Sequence, residues 1–423
     1  MNQADERTRR AVEAVWRIEA PRLIAGLARI VGDIGVAEDL AQDALIAALE
    51  QWPDEGVPRS PGAWLMAVGK RRAVDLIRRD RTYARKLALV GRDLDADESE
   101  SGLGIEPDAI EDDLLGLVFT ACHPVLAPQA RVALTLRLLG GLTTVQIARA
   151  YLVPEATIAQ RIVRAKRLLT QQRVPFEVPA GAQLAERLPS VLEVVYLIFN
   201  EGYSATAGDD WMRPALCEDA LRLARVLAGL MPAEPEVHGL AALLEIQSSR
   251  VAARGGAGGG VVLLADQDRG RWNRLMIRRG FAALAKADAL AKARGRAPGP
   301  YLLQAAIAAS HARALTTQDT DWAVIARLYD ALIVLLPSPV VALNRAVVVG
   351  MARGPAAGLA LVDELAGSGE LKDYHLLPAV RADLLARLGR YGEARTELEY
   401  AAPLARNAAE RALLLERAAA LPR

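Results

Sequence analysis

The chain is poor in the residue types on which small secreted domains, metal proteins and membrane spans depend. Of its 423 residues only Cys122 and Cys217 are cysteine, too few for a disulfide framework. The four histidines, at 123, 238, 311 and 375, are scattered, whereas a structural zinc site needs paired ligands a few residues apart. Cys122-His123 is the closest approach to such a pair, and helix-end packing is the role expected there. No early apolar segment of the signal-peptide kind and no uninterrupted membrane-length run occurs, so the expectation is a cytoplasmic protein with no membrane partner. Aromatic residues make up only 4%, and long alternating apolar–polar runs are missing. The formal net charge is +1, so any nucleic-acid footprint has to be local rather than global.

What the chain does have is Ala, Leu and Arg in helix-period spacing almost throughout, and 52% hydrophobic residues, enough for more than one core. The expected fold class is all-α, with two small helical domains followed by a large helical C-terminal domain. Compositional seams divide it. A first domain spans 1–91 and closes in strong positive charge. Residues 92–113 set Arg92 against ten acidic residues, with Gly102, Gly104 and Pro107 interrupting any long helix, and are expected to be a linker. A second domain covers 114–174. Pro175, Pro179 and Gly181 mark the next joint, and a helical extension fills 184–423.

In the first domain Leu40, Ala44, Ala47 and Ala48 form an apolar stripe, while Asp39, Gln42, Asp43 and Ile46 fall on another face of the same helix. Downstream, Leu65, Val68 and Leu76 can face a core. Arg71, Asp75, Arg78 and Arg79 share the opposite side, joined by Arg81, Arg85 and Lys86, a density that attracts phosphates. Between these helices the tract Trp52–Pro61 contains three prolines and is expected to be a stiff loop, able to shape a pocket for an unstacked base.

The second domain has the spacing of a helix-turn-helix. Residues 140–148 give a short first helix and Tyr151–Pro154 the turn. The next helix starts at Pro154, where a missing N–H costs little. Ile158, Ile162, Ala165 and Leu169 face inward. Thr157, Gln160, Arg161 and Arg164 share the outward face, presenting donors to base edges and phosphates in a major groove.

Taken in order, these motifs resemble the extracytoplasmic-function (ECF) sigma factors of the sigma-70 family. Ala37-Glu-Asp-Leu-Ala-Gln-Asp43 looks like the signature of region 2.2. Trp64-Leu65, Asp75 and Arg78-Arg79 look like the frame of regions 2.3 and 2.4, and the helix ending in Gln160-Arg-Ile-Val-Arg-Ala-Lys-Arg167 is similar to region 4.2. The resemblance covers roughly residues 10–173. It implies RNA polymerase core, through its β′ clamp helices and β flap, and promoter DNA as partners. Asp39, Gln42 and Asp43 would contact the clamp helices. Lys70, Arg71, Arg78 and Arg79 would sit at the −10 element, and Thr157, Gln160, Arg161 and Arg164 at the −35 element. Arg71 stands where the family often has Asn, which leaves base preference there open.

The extension is unlike a minimal sigma factor. Trp322, Ile325, Tyr329, Leu332 and Pro337 match positions of a tetratricopeptide repeat; Gly389, Tyr391, Ala394, Leu398 and Ala401 match again, after a weaker unit around Gly354 and Leu359. Three repeat-like helix pairs are expected over about 302–407, stacked as a short solenoid. The combination resembles the sigma-factor subgroup with a tetratricopeptide-like extension. Its phrases are Ala121-Cys-His-Pro124, Val195-Tyr-Leu-Ile-Phe-Asn-Glu-Gly-Tyr203 and Leu264-Ala-Asp-Gln-Asp-Arg269. That resemblance implies regulation by the fused extension and a small YCII-like protein as a possible partner.

Nothing in the sequence supplies a nucleophile–base pair or a phosphate loop, so no catalytic residues, metal or cofactor are expected. Asn200, Glu201, Asp266, Asp268 and Arg271 therefore do not make an active site; Asp266 and Asp268 are better read as capping or bridging groups, and Gly255–Gly260 as a loop without the context of a dinucleotide fingerprint. The alternative to a sigma factor is a polymerase-independent helix-turn-helix regulator that uses its repeats as a sensor. The polar face bearing Asp39 separates the two, because only a sigma factor needs a polymerase-binding surface.

Overall fold

The computed structural model describes residues 3–88, 107–151, 153–204, 211–255 and 261–422. Among the described residues there are nineteen α-helices, two 3-10 turns and no strand, in agreement with the all-α expectation. The chain divides into two compact units, 1–195 and 196–423. Proline opens many of the helices: Pro61, Pro107, Pro128, Pro214, Pro235, Pro300, Pro339 and Pro355 each stand at a first helical position, where the absent N–H has no partner to lose.

In the first unit, α1 (Gln3–Val31), α2 (Ile34–Glu55) and α3 (Pro61–Ala88) pack on one another. Leu40, Ala44, Ala47 and Ala48 are buried as their spacing predicts, and Ile46 on the other face is half exposed. The tract expected as a loop from Trp52 instead stays helical through Glu55, with Pro53 inside α2. Trp52 is 1% exposed and meets the Trp64 ring edge-on at 5.4 Å. That burial holds the last turn until Gly56, at φ 81°, donates its N–H to the Trp52 carbonyl and turns the chain.

The next helices are α4 (Pro107–Ala121), α5 (Pro128–Leu138), α6 (Thr144–Ala150) and α7 (Glu155–Gln171). Residues 107–113 of the expected acidic linker are therefore the opening turns of α4, with Pro107 starting the helix rather than breaking one. The rest of that tract, residues 92–106, lies outside the described residues. Cys122 closes α4 as a packing residue: it is buried, its Sγ lies 3.3 Å from Thr135 Oγ1, and burial pushes its thiol up to about 11. The last helix of the unit, α8 (Gly181–Tyr203), crosses the boundary between the two units. Its first half is fastened to α4 and α5. Arg187 donates to the Phe119 carbonyl (3.2 Å), Ser190 donates to the Cys122 carbonyl (2.6 Å), and Arg131 reaches Ser190 and Glu193.

The second unit contains α9 (Pro214–Leu230), α10 (Pro235–Ser248), α11 (Val251–Arg254), two 3-10 turns (Leu264–Asp266 and Arg269–Arg271) and α12 (Arg274–Ala293). Asp268 caps the second turn by accepting from the Gly270 N–H at 2.8 Å, the capping role expected of it. Gly255 pairs with Val261 in an isolated antiparallel bridge; residues 256–260 between them lie outside the described residues. Then come α13 (Pro300–Arg313), α14 (Trp322–Leu335), α15 (Pro339–Arg353), α16 (Pro355–Ser368), α17 (Leu376–Arg387), α18 (Tyr391–Leu404) and α19 (Ala408–Ala420), each packed on its sequence neighbour. The pairs α13/α14, α15/α16 and α17/α18 coincide with the three expected repeats. Ile325 and Leu332 are buried in one cluster, and Ala394, Leu398 and Ala401 in another. Between α15 and α16 a Cβ on Gly358 would lie 2.8 Å from the Ala346 carbonyl oxygen, so the two backbones touch where only glycine fits.

Candidate polymerase and nucleic-acid interface

The helix-turn-helix is built locally. Thr143 Oγ1 accepts from the Gln146 N–H (3.2 Å) while Gln146 Oε1 accepts from the Thr143 N–H (2.8 Å), a reciprocal capping box that starts α6. Pro154 is the N-cap of α7 rather than its first residue. Ile158, Ile162, Ala165 and Leu169 are all buried. Of the outward set, Gln160 and Arg164 are exposed, and Thr157 and Arg161 are half-buried. The helix thus keeps a polar donor face opposite its core stripe.

On α3, Arg71, Arg78 and Arg79 are exposed and Lys70 is half-buried. On α2, Asp39 is exposed, whereas Gln42 donates to Glu38 Oε1 (2.8 Å) and Asp43 pairs with Arg72 of α3 at 2.9 Å. Both partners of that last pair are about half exposed, so it is easily exchanged for an external contact.

The structure also brings together residues that the sequence reading did not single out. Glu38, 3% exposed, lies between Arg137 of α5 and Lys166 of α7. Arg137 Nε donates to Glu38 Oε1 at 2.6 Å, and the Lys166 ammonium faces Glu38 Oε2. Beside it, Asp33 caps α2 by accepting from Gly35 and Val36, and also accepts from Thr170 of α7 at 2.6 Å. A third tie joins Arg29 of α1 to Asp113 of α4 at 3.3 Å. The helices α1–α3 and α4–α7 thus meet through the packing of α1 on α4 and through three carboxylates that tie α2 and α1 to the second group.

The electrostatics of the three differ. Burial raises the Glu38 carboxyl, but Lys166 and Arg137 outweigh it and hold the group below the usual glutamate value. Asp33 is likewise lowered: burial works against ionisation, and hydrogen bonds from Thr170 and two backbone N–H groups prevail. Asp113 is raised, because burial dominates over the attraction of Arg29. A signal for Glu38 was present in the sequence, since it shares the face of Ala37 and Ala41 rather than that of Asp39. A glutamate on a buried stripe demands a cationic partner.

A helix-turn-helix with an exposed donor face, together with a second basic helix and an acidic helical face, defines a DNA-binding transcription protein. Residues 16–83 match Sigma-70 region 2 and residues 117–169 match Sigma-70, region 4. The chain belongs to the sigma-70 family, as an ECF sigma factor with a helical C-terminal extension, and the partners of such factors are RNA polymerase core and promoter DNA. Residues 187–288 of the extension match a family of unknown function, DUF6596. The chain is 46% identical over 399 residues to an uncharacterized protein of Rhizobium meliloti, covering 93% of this chain and 92% of that one. It is 30% identical over 177 residues to the probable ECF RNA polymerase sigma factor SigI of Mycobacterium tuberculosis, covering 42% of this chain and 60% of that one. No solved structure matches. Among the described residues no helix is long and apolar enough to cross a membrane.

Proposed function

We propose that this sigma factor directs promoter-specific transcription initiation and is regulated by its helical extension. The promoter reading rests on the division of α7 into a buried apolar stripe and an exposed face carrying Gln160 and Arg164. In this reading Thr157, Gln160, Arg161 and Arg164 lie at the −35 element and Lys70, Arg71, Arg78 and Arg79 at the −10 element. Asp39, Gln42 and Asp43 meet the β′ clamp helices, and the second module meets the β flap. The setting is the cytoplasm, where polymerase and chromosome are. The domain limits in this reading are 1–91 for the first module, 114–174 for the second, and the extension from 184.

The free protein holds its two modules closed through Glu38 and the packing of α1 on α4, and core polymerase, meeting the neighbouring Asp39 face, competes through Gln42, which donates to Glu38. Support for control by the extension comes from the first half of α8, which fastens the ends of α4 and α5 through Arg187 and Ser190 and so can bias their orientation. A small YCII-like protein stays a candidate partner of the extension on resemblance alone.

The test is run-off transcription with purified core polymerase and promoters selected from a randomised library. Initiation that needs the chain, and is lost with Arg161→Ala and Arg164→Ala together, supports the reading. Initiation indifferent to promoter sequence removes it.

A further inference from the structure

Buried arginines elsewhere in this protein have acceptors: Arg131 has Glu193 and Ser190, and Arg187 has the Phe119 carbonyl. Two in the second unit, the buried Arg250 and the half-buried Arg254, do not. Arg250, 6% exposed, and Arg254, one helical turn on, follow α10, and neither has a carboxylate within salt-bridge distance among the described residues. The Nε atoms of both are buried and without a hydrogen-bond partner. A third arginine, Arg269, is 8% exposed and lies against the same tryptophan: the Arg250 and Arg269 guanidinium carbons are 5.6 and 5.1 Å from the Trp272 ring centre. Arg254 stacks 3.5 Å over Tyr203 and lies 5.0 Å from Trp211.

Their roles differ. Arg269 is held by the His311 and Ala314 carbonyls, at 2.7 and 2.6 Å, so its charge is fixed in place. Arg250 and Arg254 have aromatic rings rather than acceptors as neighbours, and their N–H groups are unused donors. Burial and the charge of Arg250 lower both Arg254 and Arg269, and push His311 down to about 4, so the imidazole stays neutral beside them. Glu410 and Asp319 act on Arg254 and Arg269 only from beyond 4 Å. Grouping like charges out of water without a counter-ion is unfavourable, and cation–π contacts offset only part of that cost.

We propose that Arg250 and Arg254, with Arg269 in support, form a binding site for a phosphate-type dianion, either inorganic phosphate or a phosphomonoester. A single carboxylate would neutralise one of the charges. A tetrahedral dianion offers several acceptor oxygens and can take the fork of each guanidinium. The site gives the extension a small-molecule input, and it stands whether or not the promoter assignments hold.

Equilibrium dialysis of the full-length protein with radiolabelled orthophosphate, and separately with glycerol 3-phosphate, at ionic strength fixed with chloride, is the test. Saturable binding is expected, weakened at least about tenfold in both Arg250→Gln and Arg254→Gln. The arm that binds more tightly identifies free phosphate or an ester as the ligand. Arg250→Lys and Arg254→Lys, which keep the charge but lose the fork, should bind at intermediate strength and serve where a Gln variant does not fold. Wild-type protein that binds neither probe overturns the proposal. So does binding of equal strength in every folded variant, which would mean an adventitious ion only.

Discussion

Glu38 of α2 accepts a 2.6 Å hydrogen bond from Arg137 Nε of α5, 99 residues further along the chain. With Lys166 on its other oxygen, this one carboxylate joins the helix expected to meet polymerase to the helix expected to read DNA. Its side chain is 4% exposed, and those of Arg137 and Lys166 are 23% and 19% exposed. Removing a buried partner leaves charges unpaired at a cost of about 3 kcal/mol, the lower end of the range because the two cations keep some contact with water. A closed form built on such a contact is stable alone and still open to competition.

Acid should loosen the closed form. Glu38 and Asp33 both have folded values depressed below 4.5 and 3.8, so their contribution is complete above those values and is lost as pH falls through the depressed ones. Asp113, raised by burial, acts in the opposite sense. Titrating the separation of the two modules from about pH 7 downward should give opening only at the acid end. Glu38→Gln should remove most of that dependence; an unchanged titration in this variant would assign it elsewhere.

Arg161→Ala should cost about 1–3 kcal/mol of promoter affinity if the guanidinium reads a base bidentately, and should relax preference at that base. Affinities measured over a set of single-base −35 variants decide it. A uniform loss across all sequences makes Arg161 a phosphate contact, and no loss means that the outward face of α7 is not the reading face.

Asp39→Arg should weaken core association without unfolding the domain, because Asp39 is exposed on a helix whose packing it does not enter. It is a cleaner probe than Asp43, which also pairs with Arg72. Co-migration of the folded variant with core polymerase at wild-type strength would count against the polymerase-binding role of this face.

Truncation of the extension has a boundary set by α8. Deletion from residue 185 strips Arg187 and Ser190 from the ends of α4 and α5 and should lower the melting temperature of what remains, whereas deletion after Val195 should leave those contacts intact. Thermal unfolding of the two truncations should separate them. Transcription by the longer one then reports the regulatory role of the repeats: unaltered activity contradicts regulation by the extension.

The helix-turn-helix was legible because each of its signals is local. Thr143 and Gln146 cap α6, Pro154 stands just before α7 as its N-cap, and the stripe Ile158, Ile162, Ala165, Leu169 has helical spacing. The helices of the extension were legible for the same reason, from helix-period spacing such as that of Ile325 and Leu332. What escaped reading depends on distance in sequence. Nothing near Glu38 announces Arg137 or Lys166, and nothing near Arg250 announces that Arg269 will share the Trp272 ring with it. The tract from Trp52 misled because proline normally ends a helix, and here the burial of Trp52 overrides that preference.

The most direct test of the closed form measures the distance between labels at Val74 of α3 and Val163 of α7, exposed positions outside the contact, in the free full-length protein. One narrow, short distance is expected, lengthening on addition of core polymerase and already lengthened in Glu38→Ala without polymerase. A broad distribution in the free wild-type protein, or a distance that neither core polymerase nor the substitution changes, would contradict it.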